Sequence, residues 1–97
     1  MGSNAKTRKT GLLLRLYVAG NAPNSLTAIT NARAICKEHF SSGHEIEIVD
    51  LLESPLRALA DGIVVTPTLL RMSPLPIRRV IGNLGDAHQV LVALADK

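Results

Sequence analysis

The residues that could do chemistry are few and scattered. Cys36 is the single cysteine, so no internal disulfide can form, and a lone thiol fits a reducing compartment. His39, His44 and His88 fall at no metal-ligand spacing and read as solvated side chains. Glu45 and Glu47 stand two apart, on one face of a strand. Paired carboxylates do acid–base work in some sites, but at the start of a strand the pair reads as a solvated edge. Ser25 has no visible base or oxyanion motif and reads as a helix cap. Gly82 and Gly85 are too sparse for a phosphate loop and read as turn residues. Arg78-Arg79 could meet a phosphate or an acidic partner, although adjacent strand residues point to opposite faces, so only one serves a given surface. No catalytic machinery and no cofactor site is visible, a pattern that suits a binding or regulatory module.

The elements that must position these residues come from a chain of 97 residues, enough for one domain with one modest core. Hydrophobic residues make up 46% and charged residues 20%, ordinary values for a folded domain. Tyr17 and Phe40 are the only aromatics, so the core is aliphatic. Platforms for stacking bases are missing, which argues against single-stranded nucleic acid as a partner. The net charge of +3 comes from Lys6, Arg8 and Lys9 near the start, where no acid balances them. Residues 1–10 are therefore expected to form a disordered basic tail, with residues 11–97 as the domain. No apolar run approaches the roughly 18–20 residues of a membrane span. Leu12-Leu13-Leu14 is broken at once by Arg15, so no signal peptide is expected and the expected location is cytoplasmic.

Leu12–Val18 reads as a buried strand between glycines, and residues 19–24 as a turn. Asn24 or Ser25 would cap a helix whose apolar stripe is Leu26, Ile29, Ala32, Ile35, Cys36 and Phe40. Glu45–Leu51 alternates as a second strand, so strand–helix–strand forms a right-handed unit with parallel strands. Ser54-Pro55 opens a short second helix, with Ser54 as cap, that ends near Asp61-Gly62. Thr68–Met72 and Ile77–Ile81 read as strands joined by the stiff turn Ser73-Pro74-Leu75-Pro76. Asp86 with Gln89 three residues on starts a last helix carrying Val90, Leu91 and Leu94. Pro67 between Thr66 and Thr68 marks the start of the third strand. A cis Thr66–Pro67 bond is possible, but only about 5–6% of X–Pro bonds in folded proteins are cis, so trans is the more frequent expectation from the residues alone.

The order β-α-β-α-β-β-α, with a proline before the third strand, resembles the thioredoxin-like arrangement. Redox members of that group carry cysteine in the turn after the first strand, where a helix N-terminus lowers the thiol pKa. Here that turn is Gly20-Asn21-Ala22-Pro23-Asn24-Ser25, without cysteine, and Cys36 lies about three turns further on. Thiol–disulfide chemistry is therefore disfavoured.

Three segments narrow the resemblance: residues 16–25 (LYVAGNAPNS), Thr66-Pro67-Thr68-Leu69, and residues 74–82 (PLPIRRVIG). In this order and spacing they resemble the KaiB family of circadian clock proteins. The resemblance implies a regulator without enzymatic activity that binds the ring-shaped ATPase KaiC, competes there with a sensor kinase carrying a similar domain, and sequesters KaiA where it exists. It also implies two folds. One is thioredoxin-like and binds KaiC. The other keeps the first half, rearranges the second and forms tetramers, so a monomer, dimer or tetramer is compatible with it. The resemblance implies that the rearrangement involves Thr66, Pro67, Pro74 and Pro76, whose prolyl bonds isomerise slowly, together with Ala93 and Ala95.

Clock members of the family usually have Gly and Asp where Ala93 and Ala95 stand. Alanine is the better helix former, which biases this chain toward the thioredoxin-like fold by roughly 1–2 kcal/mol. Clock members also tend to carry basic residues where Thr27, Glu47 and Gly62 stand, on the KaiC-facing surface. Glu47 there would repel an acidic partner surface, which points to a weaker contact or to another signalling partner. The candidate partner interface is Thr27, Glu45, Glu47, Gly62, Arg78 and Arg79. The acidic C-terminal extension of clock members has no counterpart before Lys97.

Overall fold

The computed structural model describes residues 11–95, so the basic tail expected over residues 1–10 lies outside the described residues. The elements are β1 (Leu13–Val18), α1 (Pro23–His39), β2 (Glu45–Asp50), α2 (Pro55–Ala60), β3 (Thr68–Ser73), β4 (Arg78–Ile81) and α3 (Ala87–Ala95). The strands form one mixed sheet in the order β2-β1-β3-β4. β1 pairs parallel with β2 and antiparallel with β3, and β4 pairs antiparallel with β3. This is the thioredoxin-like arrangement expected from the element order.

Side chains of a strand alternate between faces, and β1 shows what each face is for. Leu14, Leu16 and Val18 are buried with Ala28, Ala32, Ile35 and Cys36 of α1 and with Val90 and Leu94 of α3. Each of the β1 leucines that is fully buried contributes about 1.5–3 kcal/mol of hydrophobic stabilisation. The opposite face is smaller: Tyr17, Val49, Ala58 and Leu70 pack together beneath α2. Arg15 lies on that face too, beside Glu47 in the parallel register.

Several local expectations are corrected. Ser25 is not a helix cap. The helix starts at Pro23, and the buried Ser25 Oγ accepts a hydrogen bond from the Ala19 amide at 3.1 Å, closing the turn after β1. Leu26 leaves the predicted stripe and is 49% exposed, because the buried line of α1 runs through Ser25, Ala28, Ala32, Ile35 and Cys36. Ser54 precedes α2 but makes no side-chain cap bond. Asp86 does cap α3, its Oδ1 accepting from the Gln89 amide at 3.2 Å. The Thr66–Pro67 bond is cis, the less frequent of the two isomers the residues leave open, and Ser73–Pro74 and Leu75–Pro76 are cis as well. Tertiary context sets the isomer of an ordered X–Pro bond, and no local signal reveals it.

α2 ends in a Schellman motif. The Ile63 amide donates to Ala58 O at 2.9 Å and the Gly62 amide to Leu59 O at 3.1 Å. The motif needs a left-handed residue, and Gly62 takes it with φ +69°. Its consequence is to fix the backbone of Asp61, whose side chain turns toward β1.

Candidate interaction site

A polar centre forms where α2 crosses the sheet. Glu47 and Arg15 are register neighbours on β2 and β1, and Arg15 Nε donates to Glu47 Oε1 at 3.0 Å. Arg57 and Asp61 are four residues apart near the end of α2 and so share one side of it. Arg57 grips Glu47 with both terminal nitrogens, at 2.7 and 2.9 Å. This fork-on-carboxylate geometry is the strong form of the pair. Arg15 Nη1 donates to Asp61 Oδ2 at 2.9 Å. The Tyr17 hydroxyl donates to the same oxygen at 2.6 Å and lies 3.0 Å from the Arg57 carbonyl oxygen. Arg79 adds a staple from β4, donating to Gly62 O at 3.2 Å and to Asp61 O at 3.1 Å.

The titration directions follow from these contacts. The Arg57 fork holds the Glu47 carboxyl below its ordinary range, with Arg15 acting the same way. The Tyr17 hydrogen bond holds Asp61 down, again helped by Arg15. Burial pushes the Tyr17 hydroxyl up, and the Asp61 carboxylate adds to the rise. Two carboxylates held ionised and a phenol held neutral leave no group poised to exchange a proton near neutral pH. Two guanidinium groups against two carboxylates make a self-neutralised hub suited to recognition. A pocket of about 230 Å³ lies over it, lined by Arg15, Tyr17, Arg57, Ala60 and Asp61. The same helix and its flanking turns also carry exposed apolar groups: Leu56 and Leu59 on α2 are 78% and 76% exposed, and Leu52 and Val64 in the turns are exposed as well. Large exposed apolar groups mark interaction surfaces.

Among the expected interface residues, Glu47, Gly62 and Arg79 converge on this centre. Glu45 is exposed two residues before Glu47 on the same strand face. Thr27 sits on α1, across the sheet, and Arg78 is the cross-strand neighbour of Arg71 on the α3 side. The expected acidic edge at Glu47 is not an isolated charge, because Arg15 and Arg57 neutralise it. Sequence reasoning missed Arg15, Tyr17, Arg57 and Asp61. The signals that would have found them are the four-residue spacing of Arg57 and Asp61 and the parallel register that sets Arg15 beside Glu47.

Of the residues expected to take part in a rearrangement, Pro76 and Ala93 meet at the buried Arg71. Its Nη1 donates to Ala93 O and Leu94 O, both at 3.2 Å, and its Nη2 to Pro76 O at 2.9 Å. Pro67 O accepts from the Gly82 amide at 2.9 Å. Pro74 lies in the β3–β4 turn, and Ala95 is the last residue of α3. Cys36 is fully buried in the core under α1, and burial pushes its thiol up to about 11.

Residues 15–95 match the sequence model of the KaiB domain. The circadian clock oscillator protein KaiB of Prochlorococcus marinus strain MIT 9313 is 45% identical over 87 residues, covering 90% of this chain and 72% of the relative. KaiB of Synechococcus elongatus strain PCC 7942 is 44% identical over 87 residues, covering 90% and 84%. In three dimensions the chain resembles the N-terminal domain of Synechococcus elongatus SasA, with a TM-score of 0.73, 23% identity, and 90% and 86% of the two chains covered. It also resembles chloroplastic thioredoxin z, with a TM-score of 0.71, 18% identity, and coverage of 94% and 82%. At those identities the two structures show the fold alone. The sequence matches show more: this chain belongs to the KaiB family of circadian clock regulatory proteins.

Proposed function

We propose that this protein is a non-enzymatic regulator that binds a KaiC-type clock ATPase and modulates its phosphorylation and output through protein–protein contact. KaiA, or a sensor kinase with a similar domain, is its co-partner or competitor, and the cytoplasm is its compartment. The observation that carries this reading is that α2 and its flanking turns expose Leu52, Leu56, Leu59 and Val64 next in the chain to a hub whose charges neutralise one another. A partner meeting this face gains apolar burial without having to desolvate an unpaired charge. Glu45, Glu47, Gly62 and Arg79 belong to the contact. Thr27 and Arg78, across the sheet, belong to it only where the partner reaches around the edge. Rearrangement of the second half, through Thr66, Pro67, Pro74, Pro76, Ala93 and Ala95, is the regulatory step that family membership supports.

Light scattering on a sizing column, with and without a KaiC homologue from the same genome, tests the reading. A monomer that joins the ATPase without a slow lag is the expected result. The double variant L56D/L59D should keep its melting temperature within a few degrees and lose the complex, since solvated surface positions contribute little to stability. Unchanged binding by that variant would move the contact off α2. A stable wild-type protein that forms no complex would remove KaiC as partner and favour a different signalling partner for the same face.

A further inference from the structure

Two of the three arginines of the β3–β4 hairpin, Arg71 and Arg79, do matching work on opposite faces of the sheet. On one face Arg71 of β3 holds two carbonyls in the last turn of α3, those of Ala93 and Leu94, and with its other arm Pro76 O in the hairpin turn. On the other face Arg79 of β4 holds Asp61 O and Gly62 O at the end of α2. Both therefore cap a helix C-terminus in trans, where exposed carbonyls and the helix dipole favour a cation. α3 has no basic residue of its own in its last turn. Leu70 pairs with Arg79 and Arg71 with Arg78, so the two arginines leave neighbouring rungs of one ladder in opposite directions.

We propose that the β3–β4 hairpin couples the seating of α3 to the geometry of the docking face around α2, with Arg71 and Arg79 as the contacts that carry the coupling. The mechanical path is short. β4 has only four residues and is an edge strand, so its position depends on its ladder with β3, on the turn between them, and on Val80, which is buried in the core cluster that also holds Val90 and Leu94 of α3. Arg71 ties that turn to α3 through Pro76 O. When α3 loosens, the turn and β4 loosen with it, and Arg79 is drawn from the carbonyls of Asp61 and Gly62 that follow α2. Asp61 then shifts against Tyr17 and Arg15 in the polar hub. The inference goes beyond partner binding and does not depend on which partner docks.

Tyr17 provides the readout because it is the only tyrosine in the chain and its hydroxyl is hydrogen-bonded to Asp61. Incorporating 3-fluorotyrosine gives a single fluorine resonance on the α2 face, while the perturbation at Arg71 is made on the α3 face. In R71M, hydrogen exchange of the α3 amides should rise at least about tenfold, the loss of roughly one hydrogen bond from a charged group. The fluorine resonance should move in the same direction as in R79M. The double variant should sit close to R79M, since both substitutions break one path. A resonance that stays put in R71M while α3 exchange rises would overturn the coupling, as would additive shifts in the double variant. If R71M fails to fold, R71K decides: one ammonium cannot span both the α3 carbonyls and Pro76 O, so the resonance should still move, and an unmoved resonance refutes the proposal.

Discussion

Replacing Asp61 with asparagine tests whether the polar hub is held by charge. The substitution keeps size and shape but removes the carboxylate that accepts from Tyr17 at 2.6 Å and from Arg15 at 2.9 Å. A hydrogen bond to a charged group contributes about 1.5–3 kcal/mol where it is shielded from water. The Asp61 and Arg15 side chains are 22% and 23% exposed, so solvent screens part of that. The carbonyl oxygen of the new amide still accepts one bond. The expected loss is therefore about 1–2 kcal/mol, or roughly 5–10 °C in melting temperature for a domain of this size. The sign with pH follows from the direction of the shift. Asp61 is held below its ordinary range in the folded state, so the ionised form contributes stability above the unfolded value of about 3.9. That contribution is lost as the pH falls through the folded value. Thermal unfolding followed by circular dichroism should show a gap between wild type and D61N at pH 7 that narrows toward pH 2. A gap under about 2 °C at pH 7, or one that persists undiminished in acid, would refute an electrostatic role for the hub.

Gly62→Ala forces a side chain into φ +69° at the end of α2 and should cost about 1–2 kcal/mol, read as a lower urea midpoint with an unchanged slope. Leu16→Ala opens a cavity in the larger core cluster and should cost about 2–5 kcal/mol, measured the same way. Because burial pushes the Cys36 thiol up to about 11, the native protein should react slowly with a thiol reagent at pH 8 and at the rate of a free thiol in denaturant. Fast native labelling would show that α1 opens readily. Ala93→Gly should cost up to about 1 kcal/mol of helix propensity, and hydrogen exchange should place that loss in α3 (Ala87–Ala95) rather than in β1 and β2.

Element order was legible because each element carries its own local signal. The alternation of Glu45–Asp50, the proline at the start of α2 and the Asp86 cap are all short-range features, and each has its counterpart in the structure. Local signals failed where a neighbour across space supplies the partner. Ser25 has the composition of a cap, yet its hydroxyl bonds the amide of Ala19 instead. Leu26 fits a three-to-four-residue stripe, yet the buried line is rotated off it because Ala28 and Ala32, the small residues, are the ones that approach β1. The hub shows the same division. Glu47 stands out in the sequence as an acid in a place of interest, while the two arginines that change its meaning stand 32 and 10 residues away.

The sequence by itself determined the family, the order of elements, the aliphatic character of the core and the absence of cysteine from the turn after β1, because residue type and spacing suffice for each. Only the tertiary structure decided which charges neutralise one another and which carbonyls Arg71 and Arg79 hold. An arginine in a strand reads from the sequence as a solvated charge. Folding places Arg71 against the end of α3 in a buried site, where orphan helix carbonyls and the helix dipole make a guanidinium favourable. That outcome depends on the packing of segments more than twenty residues apart, which no local pattern encodes.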